Sequence, residues 1–255
     1  MTLARHLKTL LPNTVIVHQD DFFKVRPRNP SFASPEPPPT LRFRPFPSQP
    51  EKDIPIDPAT NLINWDCPSA LDFPALVRLL HHARAAGGTL PDTHDSKEDR
   101  NIPTNPPVAV REDRMLTFQN SVYEILGGSA RDAEDGWAFV IVDGFMLYWD
   151  EEVMRELDIR VFVRGAYETL KRRREERQGY VTIEGYWVDP PGYFDSIVWP
   201  EYLKWNGHLF TGQDHSSSLH AGVRGVTTLN SDEQDIEEMV RVSLEALKVV
   251  VKQKE

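Results

Sequence analysis

A chain of 255 residues with a net charge of -10 and 40% hydrophobic residues can build one good-sized domain or two small ones. The acidic balance argues against a general nucleic-acid binder, and a single cysteine, Cys67, excludes an intrachain disulfide and a cysteine-rich zinc site. A mean hydropathy of -0.47 with 21 prolines points to a compact domain carrying polar, Pro-rich insertions. No apolar run approaches the roughly 20 residues that span a bilayer, and the first residues do not read as a signal peptide, so a soluble intracellular protein is expected.

In chain order, residues 1–11 place Leu3, Leu7, Leu10 and Leu11 on one helical face, and Pro12-Asn13 ends that helix. Val15-Ile16-Val17 reads as a short buried strand that runs into Gln19-Asp20-Asp21-Phe22-Phe23-Lys24. Ligands of open α/β sheets bind just outside the carboxyl ends of strands. An acidic pair there can act as general base and as a magnesium ligand, directly or through water. Taken alone, Asp20-Asp21 reads more simply as a polar turn. Residues 26–59 are largely Pro, Ser and charge and predict a disordered insertion rather than an SH3 ligand. At Asn64-Trp65-Asp66 order is expected to resume, with Asp66 or Ser69 capping a helix that carries Leu71, Phe73, Leu76, Leu79 and Leu80. A second polar stretch, about 87–114, predicts another insertion.

Ala138 to Val142 followed by Asp143 has the form of a Walker B strand, whose carboxylate supports magnesium or its water shell. A strand over 158–163 leads into a helix over 166–177 that puts Arg173 and Arg177 at i,i+4 on one face. A basic cluster in an acidic chain suggests anion binding, with a solvated helix laced with Arg–Glu pairs as the alternative. The aromatic residues between 180 and 205 read as core or lid packing. A further strand is predicted over 225–229, then a helix from near Ser231 with Ile236, Val240, Leu244, Leu247 and Val251 along one face. Strands alternating with helices predict an α/β fold, with a mostly parallel sheet flanked by helices, in one domain over residues 1–255.

Several of these segments together resemble the nicotinamide riboside kinases, within the uridine-kinase-like P-loop kinases. They are Leu11-Pro12-Asn13, Gln19-Asp20-Asp21-Phe22-Phe23-Lys24, Asn64-Trp65-Asp66, Asp143-Gly144-Phe145, Lys171-Arg172-Arg173-Arg174, Pro191-Gly192-Tyr193-Phe194-Asp195 and Val198-Trp199-Pro200. The likeness runs over nearly the whole chain and is interrupted by the two insertions. It implies ATP-dependent phosphorylation of the ribose 5′-hydroxyl of nicotinamide riboside in NAD salvage, with Mg2+ as cofactor and ATP as co-substrate. It also implies a cytoplasmic location, with the nucleus as a second. Asp20 is implied as the proton acceptor and a metal ligand, and Asp21, Phe22 and Phe23 as the lining of the riboside site. Trp65 would stack near the nicotinamide, Asp66 would hold ribose hydroxyls, and Asp143 would be a metal ligand where the family usually carries Glu. Arg173 and Arg177 match lid arginines that contact ATP, and Arg174 matches one that contacts substrate. Thr2 falls on the ATP side. Tyr180 is a looser match on the substrate side, because residues 178–188 are longer than the family's lid.

The family opens with a strand, a Gly-rich loop, Lys and Ser/Thr, then Thr-Leu-Ala. Thr2-Leu3-Ala4 is present, but the sequence has no G-x-x-x-x-G-K-[ST] run. The resemblance therefore implies a P-loop nucleoside kinase-like fold lacking the first strand and phosphate loop. Its two neighbouring strands would then keep unpaired backbone groups, each costing on the order of 1–3 kcal/mol. Three functions stand open on the sequence: a riboside kinase whose sequence lacks its N-terminus, a catalytically silent fragment or pseudokinase, and a kinase of another nucleoside such as uridine. On the first of these, the chain by itself is expected to have no measurable kinase activity and to bind Mg-ATP poorly.

Overall fold

The computed structural model describes residues 2–24, 54–96, 108–128, 136–177, 180–182, 185–212, 219–220, 223 and 225–254. Much of the two predicted insertions lies outside them. The elements run α1 (Thr2–Leu10), β1 (Thr14–His18), α2 (Phe73–Ala85), α3 (Glu112–Ile125), β2 (Phe139–Asp143), α4 (Glu151–Glu156) and β3 (Arg160–Arg164). They continue with α5 (Tyr167–Glu175), β4 (Tyr180–Thr182), β5 (Gly185–Trp187), α6 (Trp199–Asn206), β6 (Val226–Asn230) and α7 (Ile236–Lys254).

β1 pairs in parallel with β2, placing His18 opposite Asp143 at the carboxyl ends. β3 pairs in parallel with β6, and β4 with β5 as a short antiparallel hairpin. The fold is α/β, with parallel strands flanked by helices, as the alternating pattern predicts. Among the described residues no ladder joins β2 to β3, so the parallel strands form two pairs.

Two clusters make up most of the core. One gathers Val17, Leu71, Leu76, Met146, Val153 and Phe162 around α2 and the strand ends. The other packs Leu10, Phe118 and Val122 against the predicted face of α7, where Val240, Leu244, Leu247 and Val251 are buried. Helix periodicity thus survives into packing where a long apolar stripe exists. Among the described residues no helix is long and apolar enough to cross a membrane.

Several boundaries differ from the sequence expectation. α2 is capped by Asp72, whose carboxylate accepts the Ala75 N–H at 2.9 Å; neither Asp66 nor Ser69 caps it. Pro74 sits in the first turn, where a missing N–H costs nothing, and residues 68–70 form a separate 3-10 turn. Residues 54–59, assigned to the first insertion, are ordered: Ile54 packs on Cys67 and Ala70, and Ile56 bridges Ile63. The Asp57 carboxylate holds that turn by accepting the N–H groups of Ala59 and Thr60. Likewise the end of the second insertion is structured. Val110 is buried, and α3 starts at Glu112 with two acidic residues in its first turn. α5 stops at Glu175, so Arg177 lies beyond the helix that was expected to carry it. α7 starts at Ile236 rather than near Ser231, because the Asp235 carboxylate accepts the Glu238 N–H at 2.8 Å.

Leu76 is 1% exposed at the centre of the first cluster. Leu76→Ala is expected to destabilise the protein by about 2–5 kcal/mol. Urea unfolding followed by circular dichroism measures this, and a loss of well under 1 kcal/mol would show that the site is loosely packed.

Candidate active site

The paired ends of β1 and β2 hold the first part of the site. His18 is buried, and its Nδ1 lies 3.6 Å from Asp143 Oδ2. Burial raises the Asp143 carboxyl, but the hydrogen bond from His18 and the charge around it outweigh burial and hold the carboxyl below the usual carboxylate range. Just past β1, residues 19–22 form a 3-10 turn that presents Asp20 and Asp21, both half-buried. Gln19 anchors this turn. Its side chain is fully buried, and Oε1 accepts the N–H groups of Phe145 at 3.1 Å and Met146 at 2.9 Å. Gly144 makes room for it: a Cβ there would stand 2.6 Å from Gln19 Cβ and 2.7 Å from its Oε1.

A second wall is tied to this turn by backbone bonds. The Asp72 N–H donates to Phe22 O at 2.8 Å, and the Lys24 N–H to Ala70 O at 2.9 Å. The Phe23 ring stacks on Phe145 at 6.1 Å and meets Trp65 edge-on at 5.2 Å, while Phe22 stacks on His94. Behind Trp65 stands Tyr193, 1% exposed. Its hydroxyl donates to Ile63 O at 2.9 Å, accepts the Trp65 N–H at 3.2 Å and reaches Asp66 Oδ2 at 3.4 Å. Asp66 is buried, and burial raises its carboxyl above the ordinary value despite Arg174, whose Nη1 lies 3.6 Å from Oδ1.

α5 supplies the cations. It buries no residue of its own, so polar ties decide where it sits. Arg174 Nε donates to Asp189 Oδ2 at 2.6 Å and Nη2 to Oδ1 at 3.3 Å, a two-pronged pair, with the guanidinium 5.8 Å from the Tyr193 ring centre. Beside them is a cavity of about 150 Å³ lined by Arg174, Glu175, Arg177, Asp189 and Tyr193. Arg173 turns elsewhere, donating from Nη1 to Ser231 Oγ at 2.8 Å in the turn after β6. Lys171 Nζ pairs with Asp195 Oδ2 at 2.7 Å, and the Tyr167 hydroxyl donates to the same carboxylate.

The structure therefore brings Phe23, Trp65, Asp66 and Arg174 into one connected cluster that continues through the chain to Asp20 and Asp21. Asp143 stands across the strand pair from His18. Arg173 and Arg177 do not share a helical face with each other, since one docks on Ser231 and the other follows the helix end. Thr2 is exposed at the first turn of α1, and the backbone of Tyr180 pairs with Trp187 in the hairpin. Sequence reasoning missed Asp189, which lies 15 residues from Arg174 across the hairpin, where no periodicity links them. It also missed the anchoring by Gln19, although the Gln19-Asp20-Asp21 run put that residue in view.

Carboxylates at the end of a parallel strand pair, with a polar cluster and an arginine-bearing helix attached, have the parts of a small-molecule kinase of the α/β class. No family model matches the chain. It is 30% identical over 218 residues to the nicotinamide riboside kinase of Schizosaccharomyces pombe, covering 86% of this chain and 78% of that one. To the nicotinamide riboside kinase of Saccharomyces cerevisiae it is 28% identical over 215 residues, covering 84% and 75%. To that of Eremothecium gossypii it is 30% identical over 221 residues, covering 86% and 76%. The chain belongs to the nicotinamide riboside kinase family.

Asp66 carries a testable cost. A carboxyl whose pKa is raised by folding binds its proton more tightly in the folded state, so its ionised form subtracts stability once pH exceeds the unfolded value of about 4. Asp66→Asn is expected to raise Tm at pH 7, with the gain shrinking as pH falls and Asp66 takes up its proton. Melting curves across pH 4–8 check this; a lower Tm at pH 7 would mean that the Arg174 contact outweighs the burial.

Proposed function

We propose that this protein transfers the γ-phosphoryl group of ATP to the 5′-hydroxyl of nicotinamide riboside, forming the mononucleotide in NAD biosynthesis. The observation that supports this reading most directly is the linkage of Asp66 and Arg174 to Trp65, Phe23 and the Asp20-Asp21 turn, in a chain of this family. Phosphoryl transfer asks little covalent chemistry of a protein. It needs in-line positioning, and charge placed where the phosphate oxygens gather it. In this reading Asp20 accepts the proton of the 5′-hydroxyl. Asp21, Phe22 and Phe23 line the riboside, the Trp65 ring stacks on the base, and Asp66 accepts hydrogen bonds from ribose hydroxyls. Arg174 faces the substrate, and Tyr180 is assigned to the same side. Arg173, Arg177 and Thr2 belong to the ATP side, where Arg173 already borders the turn at Ser231.

The residues present fit a magnesium ion. Among the described residues no cluster of three or more His, Cys, Asp or Glu gathers at one point. Mg2+ commonly takes only one or two carboxylates, with waters and substrate phosphates completing its shell. Asp143, held ionised at the strand end, and Asp20, two residues beyond the partner His18, supply such a pair. When bound, the ion would neutralise charge on the transferring phosphate.

Because the 255 residues carry no G-x-x-x-x-G-K-[ST] run, the test has two arms. Isothermal titration of the chain with nicotinamide riboside and with uridine reads the riboside site alone. Mass-spectrometric detection of mononucleotide with Mg-ATP reads transfer, by the chain and by a version with a strand and a G-x-x-x-x-G-K-[ST] phosphate loop joined ahead of Thr2. Nicotinamide riboside is expected to bind and, in the extended version, to be phosphorylated in preference to uridine. Absence of riboside binding and of product in both versions would overturn the proposal. In the active version, Asp20→Asn is expected to lower kcat by about 10²–10⁴-fold with riboside affinity largely kept. A near-normal kcat would remove Asp20 from the mechanism.

A further inference from the structure

We infer that Asp189 is a specificity-determining residue: by pairing with Arg174 it offsets the guanidinium charge beside Asp66 and so favours a riboside whose base carries a fixed positive charge. This rests on the riboside reading above. Nicotinamide joined to ribose through its ring nitrogen is a pyridinium cation. A lone arginine next to Trp65-Asp66 would repel it, yet Arg174 stands there, 3.6 Å from Asp66.

The geometry answers that conflict. Asp189 takes Arg174 in a two-pronged grip at 2.6 and 3.3 Å, tighter than the contact to Asp66. Asp189 thereby offsets the guanidinium charge next to Asp66 and the adjoining Trp65. Arg177 borders the adjoining cavity, but it is exposed, where water and salt screen it, and Glu175 lines the same cavity. The side chains of Arg174, Asp66 and Asp189 are only 24%, 12% and 20% exposed, so their fields are screened far less. Asp189 is also pre-positioned. Pro190 and Pro191 follow it, and the Tyr193 N–H closes the turn on Pro190 O at 3.0 Å. That turn sets the carboxylate before any ligand arrives.

A residue that merely orients Arg174 would affect all ribosides alike, whereas a charge-cancelling one discriminates between charged and uncharged bases of the same shape. The probe pair is nicotinamide riboside and its 1,4-dihydro form, which is nearly the same size but uncharged. Isothermal titration gives the affinity ratio of the two for the wild-type chain and for Asp189→Asn, Asp189→Glu and Arg174→Gln, each checked by thermal melting. The wild type is expected to prefer the cation. Asp189→Asn should cut that preference by on the order of tenfold, chiefly by weakening the cation, as expected for the loss of one partly screened charge. Asp189→Glu should keep most of the preference, and Arg174→Gln should increase it. An unchanged ratio in a folded Asp189→Asn variant, or equal weakening of both forms, overturns the inference. Should Asp189→Asn fail to fold, a ratio that does not rise in Arg174→Gln overturns it instead. Wild type binding both forms without preference defeats this inference alone. Wild type binding neither defeats the riboside reading and this inference with it.

Discussion

The parallel pairing of β1 with β2, locked at its carboxyl end by one glutamine, is the constraint on which the site depends. Register puts His18 opposite Asp143, and a slip by one residue would send every side chain of the strand to the other face. Gln19 prevents this just where the ladder ends, since its Oε1 binds two successive N–H groups of the turn after β2. The same residue opens the turn that bears Asp20 and Asp21. One buried amide therefore joins the two strand-end segments that carry the three carboxylates. Gly144 is required for this closeness, because any side chain there would occupy the space of the Gln19 amide.

The opposite wall is built on another principle. α5 is among the most polar segments of the chain and buries no residue, so hydrophobic packing cannot position it. Its place is set by charged and hydrogen-bonded ties: the Ala166 N–H to Asp232, Arg173 to Ser231, Arg174 to Asp189, and Lys171 with Tyr167 to Asp195. Lys171 and Tyr167 depress the Asp195 carboxyl, which keeps it ionised for both. Exposed pairs of this kind contribute little each. Asp66 marks the limit of such leniency. It is buried deeply enough to raise its carboxyl above the ordinary value, so its ionised form costs stability.

How much of this the sequence disclosed depended on whether the signal was local. β2 was legible as an unbroken apolar, β-branched run, and the stripe of α7 because a period-3.6 pattern follows directly from side-chain direction. The Asp20-Asp21 turn was legible because a β-branched run ends on it. Caps were misplaced where several candidates lay close together: Asp66, Ser69 and Asp72 all precede the same apolar residues, and only the first-turn Pro74 distinguishes Asp72. α3 went unread because a polar run masks its start, and its burial comes down to Phe118 and Val122. The Arg174–Asp189 pair was beyond reach, since the intervening hairpin sets the distance between them and no repeat in the chain encodes it.

The division of the parallel strands into two pairs raises the question of what holds Arg174 in place relative to Asp20. A continuous ladder would do so through the backbone, but β2 and β3 share none among the described residues. β2 is apolar on both faces yet only half-buried along its length, so its neighbour on that side does little to fix it. The connection runs instead through the turn after β2. Met146, Leu147 and Tyr148 enter the main core cluster together with Phe162 of β3. The Tyr148 hydroxyl donates to Val161 O at 2.9 Å, and its ring lies 6.0 Å from that of Phe162. Burial raises the Tyr148 phenol well above its ordinary value, so it remains a donor at any physiological pH. Gln19 grips the near end of this turn and Tyr148 the far end, and α5 follows directly on β3. The five residues from Gly144 to Tyr148 are thus the mechanical joint between the carboxylate side of the site and the arginine side. The placement of Asp20 and Asp21 relative to Arg174 is decided there, not in the sheet.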